Sequence, residues 1–298
     1  MLYQLIKEPY SYELDVTGNK DFLGISQNKK CIFCGKTENE VSFKKVAHVI
    51  PAALGNRVLF NHEECDVCNE QFFSKHENEL VNFLMLDRVF VRARKRNGSP
   101  KYKPSGGESY IEGKVGTNQV RLNLLDGEDS FEIIETDGGN TIIMKLNDPP
   151  PYRPEDICKS LTHMAWPLLP ESFRTKLTYV PEWLLNKLQI LPLFCDVAFV
   201  PGNGYAKVIL ELWKSVDEQS DYPIAIRFTF GFKIITFYLP TTSTVKTKPS
   251  MHLDYIQHPG GIDITVDAMM INDDQRIKPK DVSYTFSFKS RDEKRKLE

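Results

Sequence analysis

Hydrophobic positions along the chain fall into two textures. Up to about residue 95, short β-branched runs lead into one long stretch with helical spacing. Beyond residue 108 the pattern becomes a series of alternating or apolar runs cut by turns. In the first part VSFKKVAHVIP is partly alternating and ends in a proline, which predicts a strand reaching His48 and breaking into the loop PAALGN. RVLF predicts a short second strand, and CDVCNEQFFSKHENELVNFLMLDRVFVRARKR predicts a helix. Residues 1–30 mix strand and loop character, with GNKDFLG as a turn, and are expected to add a strand or a cover to this part.

The stretch NGSPKYKPSGGES is rich in Gly, Ser and Pro and has no apolar period. It predicts a boundary: an N-terminal domain over 1–98 with its core at 31–95, a linker over 99–107, and a second domain over 108–298. In that second part SYIEGKV, QVRLNLL, SFEIIET and NTIIMKL predict an antiparallel meander. PEDICKSLTHMAWPLLP predicts a helix with Pro154 early, Ile157, Leu161, Met164 and Leu168 on one face, and Pro167 kinking or ending it. Cys158 and His163 on that helix are expected to be core or surface fillers. PEWLLNKL predicts a shorter helix. LFCDVAFV, AKVILELW, YPIAIRFTFGFKIITFYLP (two strands split near Gly231), IDITVDAMMI and VSYTFSFKS predict further strands, and the charged tail a frayed end. The expected fold class is α+β: a small N-terminal strand–strand–helix domain, then a mixed, mainly antiparallel β-sheet domain with helices.

Composition allows this picture without sharpening it. The 298 residues, 41% hydrophobic and 11% aromatic, suffice for two cores, and no apolar run approaches a membrane span. The formal net charge of -2 does not advertise a polyanion partner. Its distribution does more: residues 1–104 hold 16 Lys/Arg against 13 Asp/Glu, and the rest hold 22 against 27. The basic excess peaks at Arg92, Arg94, Lys95, Arg96, Lys101 and Lys103, with no acid among them. These six are candidate contacts to nucleic-acid phosphates; cations at a helix end also suit its dipole.

Candidate chemistry lies in two Cys-x-x-Cys pairs, Cys31/Cys34 and Cys65/Cys68. Four thiolates in two such knuckles make a closed tetrahedral Zn2+ site, structural rather than catalytic. With no wider cysteine framework, reduced thiols and a cytoplasmic location are expected rather than disulfides. Between the pairs lies His48, a side chain that titrates near neutral pH and suits a general base. Asn69 follows the last cysteine directly.

Together, CxxC, then HVIP followed by LGN, then CxxCN followed by a Phe and a Glu in CNEQFFSKHE resemble the HNH endonuclease superfamily and its ββα-metal fold, over about residues 20–95. The resemblance implies that His48 is the general base and that Asn69 is a ligand of a catalytic Mg2+ or Mn2+ ion. It also implies an asparagine bracing the loop: Asn61, or alternatively Asn56. Many members carry an acidic residue or a histidine just before the catalytic histidine as a second metal ligand; here that position is Ala47. His76 and Glu77, on roughly the same helical face as Asn69, are the candidate replacements. The implied activity is hydrolysis of DNA phosphodiester bonds, with an RNase of the same chemistry as one alternative. The implied setting is restriction or antiphage defence. The other alternative, favoured by Ala47, is a zinc-stabilised nucleic-acid-binding or assembly module without catalysis. The second domain would then serve recognition, regulation or assembly, through an activating ligand, a partner protein or a homo-oligomer.

Overall fold

The computed structural model describes residues 3–14, 18–94, 98–104, 107–117, 119–129, 131–136, 141–200, 202, 204–249, 265–280 and 282–287. In chain order come β1 (Tyr3–Leu5), β2 (Tyr10–Glu13), β3 (Asp21–Leu23), β4 (Ala47–His48) and β5 (Leu59–Asn61). Helix α1 (Asp66–Cys68) runs through a π turn (Asn69–Phe73) into α2 (Ser74–Phe83) and α3 (Met85–Phe90). Next are β6 (Lys101–Tyr102), β7 (Tyr110–Gly113), β8 (Val120–Asn123), β9 (Phe131–Thr136) and β10 (Thr141–Leu146). Three helices follow: α4 (Pro154–Ala165), α5 (Glu171–Arg174) and α6 (Val180–Leu184). The chain closes with β11 (Leu193–Phe199), β12 (Tyr205–Ser215), β13 (Ile224–Gly231), β14 (Lys233–Leu239), β15 (Thr265–Ile271) and β16 (Val282–Ser287).

The largest sheet has the order β1-β12-β13-β14-β11-β15, with β2 also paired to β12, and its pairs are antiparallel. β13 and β14 are fully buried along their length, so even their polar residues Arg227, Thr229, Lys233 and Thr236 lie in the interior. Helix α4 packs on β11, β13 and β14 with one side and on α2 with the other. All twelve of its residues are buried, polar ones included, because it is the middle layer of three. As expected, Pro167 ends it in a short 3-10 turn (Trp166–Leu168).

The α+β class and the mainly antiparallel sheets agree with the sequence, but several local expectations do not. β1 and β2 pair with β12, so Tyr3–Leu5 and Tyr10–Glu13 join the large sheet rather than covering the N-terminal site. GNKDFLG is not only a turn: its DFL forms β3, parallel to β5. The strand predicted over VSFKKVAHVIP shrinks to Ala47–His48, since Asp66 takes the backbone N–H groups of Lys44 and Lys45. The predicted meander splits into two three-stranded sheets, β6-β7-β8 and β16-β10-β9. β6 itself lies inside the stretch predicted as linker. One buried apolar cluster runs from Tyr12 through Leu80 and Leu161 to Ile271, so both sides of that stretch share a core.

The long helix stops at Phe90 instead of reaching the end of the basic run. Arg92 adopts φ 58, and the Ala93 and Arg92 N–H groups turn back to the carbonyls of Arg88 and Val89. This left-handed closure redirects the chain before the arginines could extend the helix. The same helix is locked to the large sheet from below. The Asp87 carboxylate accepts the Phe232 N–H at 2.9 Å and pairs with Lys233, and a Cβ on Gly231 (φ +61) would meet Asp87 at 2.6 Å. Only glycine fits that turn.

Candidate active site

The site is built on the sheet β3-β5-β4 and the start of the helix. The Sγ atoms of Cys31, Cys34, Cys65 and Cys68 lie within 4.8 Å of one another, with Cys31–Cys68 and Cys34–Cys65 both at 3.8 Å. A tetrahedron with Zn–S bonds of about 2.3 Å has S–S edges of about 3.8 Å, so the cluster already has zinc dimensions. Hydrogen bonding among the thiols pulls Cys65 below its ordinary value and pushes Cys68 above it, so it is a metal cation that would let all four be thiolates. The zinc knuckles thus fasten residues 31–34 to the first turn of α1.

A second clamp fixes the strand carrying His48. Asp66, at the helix start, accepts the Ser42 hydroxyl and the backbone N–H groups of Lys44 (3.1 Å) and Lys45 (2.9 Å). Its own N–H donates to the Ser42 carbonyl at 2.8 Å. Burial raises the Asp66 pKa, but these donors outweigh it and hold the carboxyl below its ordinary range. Lys45 also pairs with Glu70. The chain three residues before His48 is therefore joined to the residue directly after Asn69. The clamp thus ties the strand that carries His48 to the turn that carries Asn69.

Across the sheet, His48 faces Phe60 and Ala47 faces Asn61. Side chains alternate along a strand, so Asn61 lies on the face opposite His48. It is buried, and its Oδ1 accepts the Glu63 N–H at 2.9 Å. The loop between the strands is braced by the other asparagine. Asn56 Nδ2 donates to the carbonyls of Ile50 and Leu59, both at 2.8 Å, and its Oδ1 accepts the N–H groups of Val58 (3.0 Å) and Leu59 (2.9 Å). Asn56→Ala would remove four buried hydrogen bonds, of whose backbone partners the Leu59 carbonyl keeps the Val49 N–H, at a cost on the order of 3 kcal/mol. A large fall in thermal midpoint for Asn56→Ala and a smaller one for Asn61→Ala is the expected pattern; the reverse order would restore Asn61 as the brace.

Asn69 is half-buried within the π turn, and its side-chain amide makes no hydrogen bond among the described residues. π turns widen a helix locally and recur at functional sites. The two substitutes for the missing ligand at Ala47 are engaged elsewhere. His76 is buried with Nδ1 2.7 Å from Asp156 and Nε2 3.0 Å from the Leu184 carbonyl, so both nitrogens face acceptors and neither is left to bind an ion. Glu77 faces His163 Nδ1 at 3.8 Å, while His163 Nε2 lies 2.9 Å from Glu64. Of the basic run, Arg92 donates to the Phe90 carbonyl, Arg94 is exposed, Lys101 lies over the Tyr110 ring and Lys103 pairs with Glu108. Lys95 and Arg96 lie outside the described residues.

The sequence reading missed the clamp made by α4. Asp156 and His163 are seven residues apart on one helical face, and they engage His76, Glu64 and Glu77. His163 also stacks on Phe73 at 3.9 Å. Burial opposes its imidazolium, but the carboxylates of Glu64 and Glu77 outweigh that and raise its pKa. Burial pushes Glu77 up to about 7. Since this exceeds the ordinary carboxyl value of about 4.3, the folded protein holds an extra proton there between the two values. Stability from this group therefore falls as pH rises from about 4.3 to 7. Glu77→Gln should flatten the dependence of the thermal midpoint on pH in that window; an unchanged slope would mean that Glu77 ionises freely.

Residues 31–85 match the family model described as HNH endonuclease. No curated protein and no solved structure matches the chain. No helix among the described residues is long and apolar enough to cross a membrane. The segment 31–85, which contains the four-cysteine cluster and the start of the helix, is thus similar to the HNH endonuclease family.

Proposed function

We propose that the protein is a metal-dependent endonuclease that hydrolyses phosphodiester bonds in DNA, with His48 as the general base. The observation that carries this reading is the Asp66 clamp, which joins the strand of His48 to the turn of Asn69 within the matched domain. His48 takes the proton from the attacking water. Asn56 holds the loop after His48 in shape, and Asp66 keeps the strand against the helix. The zinc bound by Cys31, Cys34, Cys65 and Cys68 is structural.

A Mg2+ or Mn2+ ion at Asn69 would neutralise charge building on the scissile phosphate and leaving oxygen. The Asn69 amide oxygen is a hard donor suited to such an ion. With Ala47 buried and apolar and His76 engaged elsewhere, the remaining positions fall to water and substrate oxygens, as Mg2+ accepts readily. Arg92 and Arg94, with the rest of the basic run, supply phosphate contacts that position the strand without reading its sequence. A defence role rests on the family resemblance alone.

Ala47 favours a second reading, a zinc-stabilised nucleic-acid-binding module. Nicking of supercoiled plasmid in Mg2+ and in Mn2+, together with metal stoichiometry, separates the two. Divalent-dependent nicking and a second, exchangeable ion lost in Asn69→Ala support the enzyme. One tightly held zinc, no second ion and no cleavage of plasmid or RNA support the binder.

A further inference from the structure

The face of the β3-β5-β4 sheet that carries His48 is aromatic. Phe22 pairs in register with Phe60, and Phe60 with His48, so the three side chains form one row across the strands. Phe60 and His48 lie 4.7 Å apart between ring centroids, and Phe22 and Phe60 5.4 Å apart with planes at 24°. His62, two residues beyond Phe60, stacks on Phe22 at 4.7 Å with planes only 8° apart. The row becomes more open away from the base: Phe60 is buried, but Phe22 on the edge strand is 44% exposed. Lys20 stands at its rim, with Nζ 5.6 Å from the Phe60 ring centre. The nearest acids turn away from it. Asp21 points to the opposite face by alternation, and Glu63 folds back against Gly24 and the Ile25 N–H.

A large exposed ring at the edge of a small sheet gains little from the fold. Removing it from water requires something flat. We infer that the row of Phe22, His62 and Phe60 is a stacking platform for an unpaired base of the nucleic-acid strand cut at His48. Bases stack on protein aromatic rings whatever their identity, because each has a π face. Two strand spacings, about 10 Å, separate Phe22 from His48, a span of about three stacked nucleotides at ~3.4 Å each. A base seated on Phe22 thus leaves its own strand long enough to pass a phosphate over His48, while Lys20 meets a phosphate at the rim. In a continuous duplex every base is already stacked on its neighbours. The platform therefore selects single-stranded, frayed or locally opened substrate. The link to cleavage rests on the nuclease reading above, but the binding does not.

Binding is tested in the full-length zinc protein carrying His48→Ala, without added Mg2+ or Mn2+, so that no cleavage intervenes. The probes are a fluorescein-labelled oligothymidylate, a duplex of the same length and an abasic strand of the same length. Phe22→Ala should weaken the oligothymidylate roughly ten-fold and the duplex by less than about two-fold, with no effect on the abasic strand. Phe22→Trp should retain affinity, and the introduced indole should be quenched on adding oligothymidylate. Equal thermal midpoints for the variants and their parent exclude a folding cause. A Phe22→Ala loss shared equally by duplex or abasic strand, or no loss at all, would overturn the platform. Failure of the wild type to nick plasmid would instead bear on the nuclease reading and leave this result standing.

Discussion

His48→Ala should remove plasmid nicking in both Mg2+ and Mn2+ while leaving the protein folded and its zinc content unchanged. Loss of a general base costs roughly 10²- to 10⁴-fold in rate. The structure separates that chemical loss from collapse of the site. His48 is half-buried on the face opposite the packed row of Ala47 and Asn61, and it packs on Phe60. The loop that follows is held by Asn56 through four hydrogen bonds that His48 does not share. Removing the imidazole should therefore cost the Phe60 ring contact and the proton acceptor but leave the Asn56 brace in place, with a thermal midpoint close to wild type. Substrate affinity in the absence of Mg2+ should also persist, since the phosphate and base contacts lie elsewhere. If wild type and variant cut alike, the cleavage comes from another base or another protein, and the assignment of His48 fails.

Loss of the structural zinc should have the largest effect on stability. Cys65→Ser, or treatment with a strong chelator followed by excess Mg2+, should abolish nicking and lower the thermal midpoint by roughly 10 °C or more. Restoring Mg2+ matters, because a chelator strips both ions and only the tightly held one ties the fold together. The zinc joins Cys31 and Cys34 to Cys65 and Cys68, and the rest of the first knuckle is held by Phe33, buried against Phe73 and His163, and by two hydrogen bonds. The Ile32 N–H donates to the Glu63 carbonyl, and the Ile32 carbonyl accepts a long hydrogen bond from Trp166. Without metal, no cation sits between the four mutually close sulfurs to hold them together. Limited proteolysis of the stripped protein should cut between residues 24 and 47, while the large sheet, with its own buried strands, resists. A stripped protein that keeps its midpoint and its Mg2+-dependent nicking would show that the cysteines hold nothing essential.

The zinc pairs, the histidine before a proline and the helix opening at the second pair were legible because each is local. Two cysteines separated by two residues can close on one metal whatever lies beyond them. The split of the strand pair at Gly231 was legible for a similar reason: Gly231 at φ +61 makes a turn that other residues resist. What the ring and carboxylate side chains do was not local. His76 and Glu77 have helical spacing from Asn69 and suit an ion. Yet Asp156 lies 80 residues from His76 and His163 reaches across 99 residues to Glu64, and only the packing of α4 on α2 brings them together. The choice between Asn56 and Asn61 likewise turned on tertiary hydrogen bonds: Asn56, in the loop before β5, reaches backbone groups from Ile50 to Leu59, while Asn61 in β5 accepts the Glu63 N–H.

By itself the sequence determined the four-cysteine cluster and the α+β character of the chain, because thiol spacing and apolar periodicity act over a few residues. Tertiary structure decided that the N-terminal strands enter the large sheet, that one core spans both halves, and that the candidate ligands are spent on a buried clamp. Burial is the physical reason. A carboxylate or imidazole placed in the interior must find a partner there, and no spacing along the chain says who that partner will be.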